Sequence, residues 1–148
     1  MKKIFLVIIA VVVVISVISL SFAAEGTSSA AKGTSSTKVV AYYFHGTFRC
    51  PTCTKMERYS RKAIEANFKK AIASGNLKFK TVNVEDRGNE HFVNDYQLYT
   101  KSLILSLVKD GKEVRHKNLD KIWELVRNKQ KFMDYVVGEI NGFMKDVQ

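Results

Sequence analysis

The chain changes character three times along its length. Lys2-Lys3 opens onto an apolar run, Ile4 to Leu20, relieved only by Ser16 and Ser19. Glu25 to Thr37 is small and polar, and it repeats Gly-Thr-Ser-Ser at 26–29 and 33–36. From Lys38 onward, apolar and polar residues follow the periods of packed secondary structure. Lys38 to Phe44 is β-branched and aromatic on both faces, which predicts a strand buried in the middle of a sheet. From the cysteines to about Ser74, Met56, Ala63, Ile64, Phe68, Ala71 and Ile72 recur close to the helical period. Gly75-Asn76 is the expected stop, because glycine just past a helix end takes the left-handed conformation at little cost.

Further on, the pattern predicts a strand over Leu77 to Val84 and a short helix around Asn89 to Leu98, with Phe92, Val93 and Tyr96 on one side. A third strand is expected over Ser102 to Val108. Asp110-Gly111 is a two-residue hairpin signal leading to a fourth at Glu113 to Lys117. The remaining stretch carries an apolar face, including Ile122, Trp123, Phe132, Val136 and Ile140, that predicts one or two helices. Trp123 and Tyr42-Tyr43-Phe44 are read as core. A strand-helix-strand opening requires a parallel pair, and a tight hairpin requires an antiparallel one. An α/β fold, with a mixed four-stranded sheet flanked by helices on both faces, satisfies both demands.

The stretches before Lys38 are different in kind. A basic pair, an apolar run and small residues at Ser21-Phe22-Ala23 form the layout of a secretory signal peptide over residues 1–23, cleaved after Ala23 or Ala24. The run also falls only slightly short of a membrane span, so the alternative is a retained N-terminal anchor, with residues 4–20 associated with the membrane. In both readings the two lysines stay cytoplasmic and the rest is exported to a periplasmic or other extracytoplasmic location. Residues 24–37 bury too little apolar surface to order themselves and read as a flexible linker. Residues 38–148 are then one domain, long enough for a real core.

Charge changes this picture little. The formal net charge is +10, and losing Lys2 and Lys3 with the leader would bring it near +8. Cationic residues are spread along the chain, and no aromatic-and-basic binding motif accompanies them. Solvated helix faces are therefore expected, and no nucleic-acid partner.

Candidate chemistry concentrates on one turn. Cys50 and Cys53 are the only cysteines, and Pro51 between them is the only proline. Cys50 falls at or just before the first helical turn, where unpaired N–H groups and the helix dipole favour an anion. Its thiol is the expected nucleophile. Cys53, one turn deeper, can resolve a mixed disulfide from behind. Pro51 fits the first turn, where its missing N–H costs nothing. Arg49, Lys55 and Arg58 add positive charge, and His45 adds more when protonated, all favouring a thiolate. Other uses of the pair stay open. A structural disulfide would restrict the unfolded chain little across so short a loop. A zinc site needs four ligands, and His45, Cys50 and Cys53 offer at most three. A clamp for trivalent arsenic or copper would use the same two thiolates. His91 and His116 are read as surface residues.

These residues resemble a thioredoxin-like domain over roughly Lys38 to Gln148. The likeness lies in a strand, Cys50-Pro51-Thr52-Cys53 at a helix start, a second strand, and Lys109-Asp110-Gly111-Lys112 before the last strand and helix. More narrowly, His45 to Cys53, with Asp95-Tyr96-Gln97-Leu98, Lys101-Ser102-Leu103 and Asn118 to Trp123, is similar to a small bacterial family, the nitrophenyl compound nitroreductase subunit of ArsF type. His45, Arg49, Pro51, Thr52 and Ser102 are candidate supporting residues around the pair, and the thioredoxin pattern implies Cys50 as nucleophile and Cys53 as resolving thiol. It implies a protein dithiol or disulfide as partner and no cofactor. The narrower resemblance implies association with a larger reductase, since a domain this small has no flavin or nicotinamide site of its own.

Two features of the thioredoxin pattern are missing. Thioredoxins place a cis-proline just before the third strand, where this chain has Lys101-Ser102-Leu103. A non-proline cis bond costs ~2.5–4 kcal/mol, so a trans peptide is expected there. The buried acid of the first strand is also missing from Val39 to Phe44, leaving His45 as the nearest base. The expectation is an exported, partner-specific thiol–disulfide oxidoreductase. The alternative is a non-catalytic subunit that docks on a larger reductase or holds a metalloid.

Overall fold

The sheet is built outward from its first strand. The computed structural model describes residues 36–147, so the expected leader at 1–23 and the linker up to residue 35 lie outside the described residues. Strand β1 (Thr37–His45) pairs along both edges. It runs parallel to β2 (Leu77–Asn83), with Val39 opposite Leu77 and His45 opposite Asn83. It runs antiparallel to β3 (Ser102–Lys109), with Tyr43 opposite Leu103 and Phe44 opposite Ser102. Strand β4 (Lys112–Asn118) closes the order β2-β1-β3-β4. The predicted mixed four-stranded sheet is the one observed.

Burial follows from those positions. In β1 and β3, with neighbours on both sides, Val39, Ala41, Tyr43, Leu103, Ile104 and Leu105 are almost wholly removed from water. Edge strand β4 is exposed at every residue and rich in charge, which discourages pairing with another chain. The hairpin turn is Asp110-Gly111, with φ of 51° and 80°. Two left-handed residues match the twist of the flanking strands, and glycine adopts that conformation without strain.

One face of the sheet is covered by α1 (Pro51–Asn67) and α5 (Lys129–Met144), which pack on each other, α5 also on β1 and β3 and α1 also on β2. Met56, Ala63 and Ile64 from α1 meet Phe132, Val136 and Ile140 from α5 over Val39, Ala41 and Tyr43. Asn128 caps α5 by accepting the Lys131 N–H at 3.0 Å. The opposite face carries the short α3 (His91–Asp95), whose Phe92, together with Tyr96, packs on Tyr42 and Phe44.

Three expectations are corrected. The single helix to about Ser74 is two, α1 and α2 (Lys69–Ala73), broken at Phe68. Phe68 N–H still bonds the Ile64 carbonyl, but the Phe68 backbone leaves helical geometry (φ −123°, ψ 31°), and the next turn starts again from its carbonyl, which accepts the Ile72 N–H. The expected stop at Gly75 does hold, with φ of 78°. The helix around Asn89 to Leu98 contracts to α3, because Gln97 turns left-handed (φ 51°) and Leu98 N–H returns to the Val93 carbonyl. Trp123 is not core. It is 38% exposed on the one-turn helix α4 (Ile122–Leu125), and its indole N–H donates to the Lys101 carbonyl at 3.0 Å.

Candidate functional site

β1 ends at His45, and α1 begins six residues later at Pro51, so the cysteine pair sits where the central strand delivers the chain to a helix N-terminus. Cys50 is the N-cap, in extended conformation (φ −72°, ψ 158°), and Pro51 holds the first helical position. The Cys50 sulfur accepts the Cys53 N–H at 3.1 Å. A sulfur therefore takes the place that a serine or aspartate oxygen fills at ordinary helix caps. Cys50 and Cys53 are joined as a disulfide, their Cα atoms 5.1 Å apart. The two ends differ: Cys50 is half-buried, whereas Cys53 is 2% exposed.

The buried end is held from below. Tyr43, fully buried on β1, donates its phenol O–H to the Cys53 carbonyl at 2.7 Å. Burial pushes its pKa up to about 12, against a smaller lowering by the Arg49 guanidinium. Arg49 itself is half-buried and turns back along α1 to an ion pair with Glu57. The Glu57 side chain is only 16% exposed, and it also meets Arg61 and the Thr81 hydroxyl of β2, at 3.4 and 3.3 Å. The Arg49 Nε is buried without a hydrogen-bond partner among the described residues, so Glu57 carries the compensation of that charge.

The loop from β1 to Cys50 is tied to the loop after β2. Thr47 N–H donates to Glu85 at 3.0 Å, and Asn83 donates to the Thr47 hydroxyl at 3.1 Å. The Thr47 hydrogen bonds hold the Glu85 carboxyl below its usual range, with Lys101 and His45 adding to the effect. A Cβ on Gly46 would overlap the Glu85 carboxylate, so any larger residue there displaces that side chain. Phe44, His45, Gly46, Glu85, Tyr99 and Lys101 line a cavity of about 150 Å³ beside this loop.

The remaining expected residues fall as follows. His45 is half-buried, with Nδ1 2.9 Å from the Gly46 carbonyl. Thr52 is half-buried between the cysteines. Ser102 is buried at the start of β3 and donates to the Thr100 carbonyl at 3.0 Å. No cis peptide occurs among the described residues, so Lys101–Ser102 is trans as expected. Arg58 lies over the Tyr59 ring rather than over the sulfurs, 5.7 Å from its centroid, with Lys129 over the same ring at 5.9 Å. His91 and His116 are at the surface, paired with Asp95 and Glu113. Among the described residues no group of three or more His, Cys, Asp or Glu converges to hold a metal, and no helix is long and apolar enough to cross a membrane.

Two residues of the site had no place in the sequence reading. Glu57 is the first acid on α1, four residues after Cys53, a spacing that stacks the two on one helix side. Tyr43 was read as core, which it is, but its hydroxyl contact depends on how β1 sits beneath α1.

No family model and no curated protein matches the chain. The resemblance to the ArsF family therefore stands on its quoted residues alone. Among solved structures, mitochondrial thioredoxin 3 from Saccharomyces cerevisiae, in its oxidised form, is 16% identical, over 64% of this chain and 78% of that one, at a TM-score of 0.38. A Fasciola hepatica thioredoxin is 23% identical over 62% and 81%, at 0.34. A Trypanosoma brucei brucei thioredoxin is 18% identical over 66% and 76%, at 0.36. By its own strand order and by the disulfide at the N-terminus of α1, the described chain is a thioredoxin-like α/β fold bearing a Cys-x-x-Cys pair.

Proposed function

We propose that the protein is an exported thiol–disulfide oxidoreductase that acts on a particular protein partner. The observation that carries this is the asymmetry of the disulfide, with a half-exposed Cys50 sulfur at the helix cap and a buried Cys53 behind it. In the reducing direction the Cys50 thiolate attacks a partner disulfide. A Cys50–partner bond forms, and the displaced partner sulfur leaves as a thiolate and takes a proton. The Cys53 thiolate then attacks the Cys50 sulfur, regenerates the internal disulfide and releases the partner as a dithiol, two electrons poorer for the domain and two richer for the partner. The oxidising direction is the same sequence reversed.

Partner specificity is supported by the rim. Lys101–Ser102 is trans where thioredoxins carry a cis-proline, and exposed Phe48 lies two residues before Cys50. A larger reductase is the partner that the ArsF resemblance suggests. Export rests on residues 1–23, read as a signal peptide or N-terminal anchor.

The test is substitution of each cysteine. Cys50→Ser abolishes exchange with a reporter disulfide, whereas Cys53→Ser traps a covalent mixed disulfide. A folded protein in which neither cysteine exchanges sinks the proposal. If it instead retains arsenite or copper in native mass spectrometry, the non-catalytic clamp replaces it.

A further inference from the structure

Arg49 is covalently next to Cys50, and a cation there would stabilise a Cys50 thiolate. Its guanidinium is instead spent on Glu57, seven residues beyond Cys50 on α1. Arg49 precedes Cys50 in the chain, and Glu57 follows Cys53 by one helical turn on the same side of α1. Arg49 acts on the Tyr43 hydroxyl, and that hydroxyl is 2.7 Å from the Cys53 carbonyl. Glu57 is in turn fixed from two other sides, by Arg61 on its own helix and by Thr81 on β2. A carboxylate held this firmly in a half-buried setting cancels much of the field that Arg49 would exert on the neighbouring Cys50.

We infer that Glu57 sets the reduction potential of the Cys50–Cys53 couple by neutralising Arg49, keeping the disulfide less oxidising than the helix cap and the adjacent arginine alone would make it. The inference rests on the thiol–disulfide reading and concerns two positioning residues, neither of which touches the reacting sulfurs. Reduction consumes two electrons and up to two protons per disulfide. Whatever stabilises the Cys50 thiolate in the product draws the equilibrium toward the dithiol and raises the potential. With Glu57 ionised, the thiolate has mainly the helix N-terminus and the Cys53 N–H. With its charge removed, Arg49 contributes as well.

The experiment equilibrates the full chain with glutathione redox buffers, which supply and accept the electrons, and follows the Cys50 thiol pKa by thiolate absorbance. Glu57→Gln is expected to shift the equilibrium constant toward the dithiol by about threefold or more, equal to about 14 mV for a two-electron couple, and to lower the thiol pKa. Arg49→Met is expected to shift both quantities the opposite way. The double variant, which leaves neither charge unpaired, is expected to return close to the parent. If Glu57→Gln does not fold, Arg49→Met against the double variant makes the same comparison. Unmoved potentials, or single variants that move in the same direction, overturn the inference. A parent chain that never exchanges with glutathione overturns the thiol–disulfide reading itself, so the two failures are distinguishable.

Discussion

At the scale of single residues, the site depends on polar groups placed beneath a disulfide. The Tyr43 phenol is the clearest case, a buried donor with one acceptor, the Cys53 carbonyl. Tyr43→Phe keeps the ring and removes the donor, so a loss of about 1 kcal/mol in unfolding free energy is expected from denaturant titration, with exchange chemistry retained. A variant as stable as the parent would show that the hydrogen bond contributes nothing net. The sequence made Cys50 and Cys53 conspicuous, because both cysteines and the single proline fall in one turn. Arg49 was legible as a charge but not as half of an ion pair. Its direction is decided by a side chain folding back over the helix start, which no spacing rule describes. Tyr43 was hidden for a related reason, since the pattern reports that a side chain is buried and not what its polar tip meets.

At the scale of elements, the strands and their pairing were readable almost to the residue. The β-branched period in β1 and the Asp110-Gly111 turn are strong local signals that tertiary packing reinforces. The break at Phe68 was not readable, because the apolar period runs through it unbroken and no glycine or proline marks it. The loop carrying the sulfurs belongs to this scale too, since Gly46 and Thr47 are fastened to Glu85. Gly46→Ala is expected to push the Glu85 carboxylate aside, free the Thr47 N–H and slow thiol exchange severalfold. The stability cost should be only about 0.5–1 kcal/mol, because Glu85 is an exposed side chain that can swing away. In a Glu85→Ala background the same substitution should be nearly silent. Additive effects in that double-mutant cycle would mean that the overlap is not what matters.

For the molecule as a whole, tyrosine is the residue whose ionisation couples most widely to folding. Burial pushes Tyr43 and Tyr135 up to about 12 and raises Tyr42 and Tyr96 as well. A folded pKa above the unfolded value, about 10 for tyrosine, means that the native state holds its protons longer. That contribution is fully present below about pH 10 and is lost as pH rises through the folded values. Unfolding free energy is therefore expected to fall between about pH 10 and about pH 12 in denaturant titrations, and a flat profile would contradict the assignment. One further consequence follows from the direction of β1. The chain enters the described domain at Ser36, whose N–H donates to Asp110 in the hairpin turn, and reaches the sulfurs only beyond His45. At about 3.3 Å per residue, β1 alone spans roughly 26 Å. The disulfide and the point where the described chain begins therefore lie at opposite ends of the central strand, and a partner docking on the sulfurs meets the β1–α1 loop and not that entry point.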